Sequence, residues 1–183
     1  LNFTQRFRGS SLTFGKINML QSVERTPLTS GGGLEGFQHA ALGTPPSELT
    51  PPWIFGALWS RPSPRAVLSI GAWDVRSALN RTGLSAPFGD GIAGMTNITF
   101  PIRAGGKPGY HGFTVMATSK QGLNLEDIGD LLLPPESEQV LGQKRGGWFV
   151  KYGVQQFLWQ DPANPARGWG LFGHIGAWDA NPT

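Results

Sequence analysis

The amino-acid sequence predicts an all-β fold: an antiparallel transmembrane β-barrel built here from eight strands, each with one face toward lipid and one toward a lumen. Three observations predict it. Apolar and polar residues alternate in segments close to the about 9 to 11 residues that a spanning strand needs. Short and long connections alternate strictly along the chain. The composition suits neither a wetted globule nor a helical membrane protein. Charged residues make up 15% of the 183, against about 25% in soluble domains. The longest apolar runs, such as Trp53 to Trp59, fall far short of the roughly 20 residues of a spanning helix.

The elements follow in order as four hairpins, and together they form one domain over residues 1–183, expected to be partial. Leu1 to Phe7 reads as the first strand, Arg8 to Ser11 as a tight turn and Leu12 to Leu20 as the partner strand. A long polar stretch, Gln21 to Pro51, carries Gly31-Gly32-Gly33. Strands at Pro52 to Trp59 and Ala66 to Trp73 flank the turn Ser60 to Arg65, and a second long connection runs from Asp74 to Gly94. Met95 to Arg103 and Tyr110 to Lys120 flank a Gly- and Pro-containing turn, with Pro101 marking a bulge or an edge position. A third long connection, Gln121 to Gly146, leads to strands at Gly147 to Gln160 and Gly168 to Ala177.

Every short connection follows an odd-numbered strand. Outer-membrane barrels have short periplasmic turns and long extracellular loops, so even-numbered strands are expected to run outward. Within the strands, alternation separates the faces. Trp148, Val150, Tyr152 and Val154 oppose Phe149, Lys151, Gly153 and Gln155 in the seventh. Ile98, Phe100 and Ile102 oppose Asn97, Thr99 and Arg103 in the fifth. A charge facing lipid at mid-membrane costs about 2 to 4 kcal/mol. The polar faces are therefore assigned inward, which places Arg6, Lys16, Asn18, Arg103, Lys151, Gln155 and His174 in the lumen. The second strand fits least well, because Leu12 and Phe14 share parity with Lys16.

Five residues, Ile-Gly-Ala-Trp-Asp, occur twice, at 70–74 and at 175–179, at the outward ends of the fourth and eighth strands. Parity turns Trp73 and Trp178 inward. Two accounts stay open for them: an interfacial aromatic girdle, or a pair of rings at the outer mouth that stack on sugars, with Gly71 and Gly176 leaving room beneath.

Several chemistries are disfavoured. Without cysteine there is neither a disulfide framework nor a thiolate metal site. His39, His111 and His174 lack the spacing of a helical zinc site. Glu126 and Asp127 are neighbours in a loop, and no Gly-x-Ser-x-Gly elbow occurs. No enzyme activity and no cofactor are expected. The net charge of +3 is scattered, against a nucleic-acid partner.

Three segments in order carry a family resemblance: Phe14-Gly15-Lys16-Ile17-Asn18-Met19-Leu20; Leu131-Leu132-Leu133-Pro134-Pro135-Glu136; and Gly168 to Gly176 followed by Asn181-Pro182. Together they resemble the carbohydrate-selective porins of the OprB family. The resemblance implies an outer-membrane barrel of about sixteen strands, wide enough for an aqueous channel, through which sugars diffuse passively. This chain would be an internal fragment supplying about half of it. Its partners would be carbohydrate solutes and outer-membrane lipid. For the inward cations Arg6, Lys16, Arg103 and Lys151 two accounts stay open from the residues themselves: they hydrate the wall or pair with loop acids, or they hydrogen-bond sugar hydroxyls, and as lumen cations they would also favour anions. The alternatives are a closed eight-stranded barrel, a soluble all-β module that binds a small ligand or sugar, and a surface barrel without a conducting role.

Overall fold

A computed structural model describes residues 1–19, 51–78, 86–124, 142–164 and 167–179. The Gly31–Gly33 run, His39, Glu126, Asp127, the Leu131–Glu136 segment and Asn181-Pro182 lie outside the described residues. Eight strands form one antiparallel sheet in sequence order: β1 (Asn2–Phe7), β2 (Ser10–Asn18), β3 (Trp53–Pro62), β4 (Val67–Asp74), β5 (Ile92–Ala104), β6 (Lys107–Leu123), β7 (Gln143–Gln160) and β8 (Gly168–Trp178). The fold class and the four hairpins match the expectation. β1 and β8 are not paired with one another. The sheet is therefore open, and the closed eight-stranded alternative does not hold.

Turn chemistry sets the hairpins. Arg8 and Gly9 connect β1 to β2 with φ of 45° and 75°, and Gly105 and Gly106 connect β5 to β6 with φ of 57° and 74°. Two central residues with positive φ are the signature of the type I′ turn, whose twist matches that of the flanking strands. Between β7 and β8, Asp161 N–H donates to Arg167 C=O (2.9 Å), and Asp161 Oδ1 accepts from Ala163 N–H (2.9 Å).

Three strands outrun their expected bounds by three or more residues toward the long connections. β5 begins at Ile92, β6 extends to Leu123 past a register shift between Thr118 and Gln121, and β7 begins at Gln143. Pro101 pairs with Tyr110 without a shift, whereas β4 pairs with β5 no further than Thr99. Beyond Thr99, β5 has a neighbour on one side only, so a proline without N–H is accommodated there as a local edge position.

Register partners share a face and alternate residues change face, so the pairings sort the whole sheet into two sides. One side carries Phe3, Phe7, Phe14, Ile70, Phe100, Phe113, Val115, Trp148, Val150, Leu171 and Ile175, all exposed. Its charged residues, Lys16, Arg61 and Lys107 among them, lie toward the ends of their strands. Five of the seven tryptophans sit on this side at two levels: Trp53 and Trp148 toward the long connections, Trp59, Trp159 and Trp169 toward the short turns. His111 joins this side through a hydrogen bond with the Tyr152 hydroxyl, beside Phe113. An uncharged apolar band between two aromatic girdles is the exterior of a membrane barrel.

The other side is the inner wall. It holds the remaining two tryptophans, Trp73 and Trp178, and the buried core of the molecule: Ile17, Ile54, Trp73, Ala93, Met116 and Phe149, joined by Met19 and Val75.

Candidate functional site

Following register across the inner wall, one row runs through all eight strands: Arg6, Ser11, Ser60, Ser69, Asn97, Thr114, Lys151 and Gly176. Every member before the glycine is polar, and the two ends are cationic. Seven strand spacings make this roughly 34 Å of wall, too long for one small solute to span. It is a lining rather than a pocket.

Hydrogen bonds tie the row together. Ser69 Oγ donates to Ser60 Oγ (3.2 Å). Asn97 Nδ2 donates to Thr114 Oγ1 (2.8 Å), and Thr99 Oγ1 donates to Asn97 Oδ1 (3.2 Å). One step outward, the Thr4 and Thr13 hydroxyls pair at 2.9 Å. Small hydroxyls linked to one another hold their positions while keeping spare acceptor sites toward the lumen.

Seven of the nine residues selected from sequence share this wall. Arg6 and Lys151 lie in the polar row itself. His174, opposite Gly153, is one register step toward the short turns; Gln155, opposite Phe172 and Tyr110, is the next; Arg103, opposite Pro108, ends the series. Trp178 lies one step outward of the row, opposite Phe149, and Trp73 two steps outward, opposite Gly56 and Ala93. Among the described strand positions of the inner wall there is no carboxylate, so its formal charge is positive, with Arg6, Arg103 and Lys151 among the contributors.

Lys16 and Asn18 stand on the opposite face, and their inward assignment is corrected. Register pairs Lys16 with Phe55 and Asn18 with Trp53, on the side of Leu12 and Phe14. The Lys16 ammonium lies 5.5 Å from the Trp53 ring centroid. Near the outward end of β2, a lysine can lay its stem along apolar surface and carry its charge to the interface. The rule that charges point inward therefore weakens at strand ends.

The two copies of the repeated word face the same way but differ in surroundings. Trp73 is 0% exposed and Trp178 52%. The space above Gly71 is filled by Leu58 and by the Trp73 ring, whose Cζ3 lies 3.3 Å from where a Cβ would stand. Phe149 covers Gly176, with Cε2 at 3.3 Å from the equivalent point. The glycines thus make room for the protein's own rings. Ser11, Ser60 and Thr114 were not among the residues selected from sequence. Their strand parity was readable, but their alignment into one row is a property of register between strands.

No protein-family model and no curated protein matches the chain. Among solved structures the chain is similar to OprB of Pseudomonas putida in its high-pH structure, with a TM-score of 0.67 at 13% sequence identity. The similarity covers 96% of this chain and 44% of that one. The chain thus spans less than half the length of the porin it matches. At this identity the likeness is one of fold: the eight strands have the architecture of part of an OprB-type porin barrel.

Proposed function

We propose that the chain is part of an outer-membrane porin through which carbohydrates and other small solutes diffuse passively. The observation that carries this reading is the opposite chemistry of the two faces of one sheet. One face is an uncharged apolar band between tryptophan girdles, suited to lipid. The other carries a continuous polar row with Arg6 and Lys151 at its ends. A soluble sugar-binding module would have no use for the first face, since exposed apolar surface of that extent favours association.

On this reading Arg6, Arg103 and Lys151 donate to solute hydroxyls or attract anions, with Gln155 and His174 extending the polar wall toward the short turns. The Ser and Thr hydroxyls between them can donate and accept in turn, as sugar hydroxyls do. Trp178 offers a flat apolar face beside the row, against which the C–H face of a pyranose can pack. Trp73 supports the wall from within instead of meeting solute. The 44% share of a full-length porin supports reading this chain as one part of a larger barrel. No bond is made or broken in passive diffusion, so no catalytic group is assigned.

Liposomes carrying the complete barrel test the proposal. Swelling in glucose or maltose above that of empty liposomes is expected, and the absence of any excess overturns the porin reading. Sugar block of ion current should weaken in Trp178→Ala; unchanged block removes the stacking role and leaves the channel intact.

A further inference from the structure

The short turns concentrate positive charge. Arg8 lies in the β1–β2 turn, Arg61 and Arg65 at the β3–β4 turn, Arg103 and Lys107 on either side of the β5–β6 turn, and Arg167 closes the β7–β8 turn. Against these six cations the described residues of the same turns offer one carboxylate, Asp161, which lies 3.7 Å from Arg167. Every short turn is thus cationic, and three of the four have no described acid to offset it.

Two of the cations stand together on one locked support. In the β3–β4 turn Ser63 N–H and Ser63 Oγ both donate to Ala66 C=O (2.8 Å each), and Ala66 N–H donates back to Ser63 Oγ (3.0 Å). Pro62 and Pro64 fix φ on either side of Ser63, and proline in the second position of a four-residue turn is what types I and II favour. Arg61 ends β3 just before this turn, and Arg65 is its third residue. Both arginines are exposed, and among the described residues neither forms an ion pair.

Register decides what Arg61 meets. It pairs with Leu68, as Trp59 pairs with Ile70, so Trp59 and Arg61 are successive residues on the apolar side of the sheet, about 7 Å apart along the strand. Moving turnward on this side, a girdle tryptophan is followed by a guanidinium. A phospholipid presents its glycerol region and then its phosphate in the same order. An acidic protein or a solute in the lumen would approach from the other side of the wall.

Resting on the porin reading of the two faces, we propose that Trp59, Arg61 and Arg65 form a site for the headgroup of an anionic phospholipid such as phosphatidylglycerol. The two guanidinium groups take the phosphate, whose oxygens match their forked N–H donors, and the glycerol region lies against Trp59. The locked turn fixes the backbone of both arginines beforehand, which leaves less ordering to binding. A zwitterionic lipid with an ammonium group fits less well, because no described acid of this turn receives it.

Native mass spectrometry of the complete barrel in detergent, titrated with phosphatidylglycerol or phosphatidylcholine, tests this. Phosphatidylglycerol should be retained in preference. At about fivefold in affinity per cation, Arg61→Gln with Arg65→Gln should weaken its binding about 25-fold, while Arg8→Gln on another turn should leave it unchanged. Arg61→Lys with Arg65→Lys keeps the charge but loses the fork, so it should weaken binding by less, and it serves if the glutamine pair does not insert. Equal retention of the two lipids, or undiminished phosphatidylglycerol binding in both double variants, overturns the site. Displacement of the lipid by an equal concentration of glycerol 3-phosphate overturns a lipid as its occupant. Neither arginine is on the inner wall, so liposomes should swell in glucose as well with the double variant as with the parent. No swelling with the parent overturns the porin reading, a result separate from the lipid titration.

Discussion

Moving one charge by one residue separates a lipid-facing surface from a solvent-facing one. Val150 and Lys151 are adjacent in β7 and lie on opposite faces. Val150 pairs with Val115 and Ala177 on the apolar band, while Lys151 pairs with Thr114 and Gly176 in the polar row. The exchange Val150→Lys with Lys151→Val keeps composition and net charge and transfers the ammonium to the outer face. Val150 is 38% exposed there, so the new lysine would meet whatever the band meets. In lipid, a lysine near the midplane costs about 2 to 4 kcal/mol, which is about a 30- to 700-fold loss in the folding equilibrium at tenfold per 1.4 kcal/mol. In water, a substitution at such a surface position changes stability by about 0.5 kcal/mol at most. The assay is guanidinium titration of the complete barrel folded into lipid vesicles. The expected result is a lower midpoint with an unchanged slope, and Lys151→Val alone should be far milder. A midpoint within error of the parent refutes the assignment of this band to lipid.

Two further outcomes follow from the same geometry. A Cβ at Gly56 would overlap the backbone carbonyl of Ala72 and stand 2.6 Å from Trp73 Cα, whereas at Gly71 its closest neighbour is the tip of the Leu58 side chain. Gly56→Ala should therefore lower the denaturant midpoint by the equivalent of about 1 to 3 kcal/mol, and Gly71→Ala by clearly less. Because the described inner-wall strand positions bear cations and no carboxylate, Lys151→Glu should shift the reversal potential in a salt gradient toward cation preference, with insertion unchanged.

Much of this architecture was legible because strands encode their faces with a period of two and their turns with particular residues. The alternation of Ile98, Phe100 and Ile102 against Asn97, Thr99 and Arg103 already separated the two faces of β5 as the register does. The Gly105-Gly106 hairpin lay within the turn expected from sequence. β2 resisted for a physical reason: a lysine at a strand end can satisfy its charge at the interface, so the polarity of Lys16 says little about the direction of its stem. The outward extensions of β5, β6 and β7 were missed because Gly91, Gly122 and Gly146 mimic turn signals while the backbone continues to pair nearby. The polar row was invisible for another reason. Ser60 and Ser69 are unremarkable within their own strands, and only the register between strands brings them beside Asn97.

The repeated pentapeptide shows what a barrel wall asks of a strand end. In both copies isoleucine and alanine face the apolar band, while glycine and tryptophan face inward. The closing aspartate then takes a backbone N–H from a neighbouring segment: Asp74 from Phe88 (2.7 Å), Asp179 from Trp148 (3.3 Å). An aspartate at this point can satisfy a donor that the ending ladder leaves without a strand partner, and an inward tryptophan closes the wall behind it. The word is therefore architectural in both places, and its surroundings decide what each copy does. β4 has a neighbour on either side and an exit held by the Asp74–Arg76 ion pair (2.6 Å), and Trp73 is buried in the core. Trp178 on β8 lies one register step from the cationic row, opposite Phe149. If that ion pair keeps Trp73 buried, Arg76→Ala should make Trp73 accessible to iodide quenching and leave Trp178 as it is. With Trp178→Phe as the background, added quenching then reports Trp73 against the remaining tryptophans, and no change would mean that its burial comes from the wall alone.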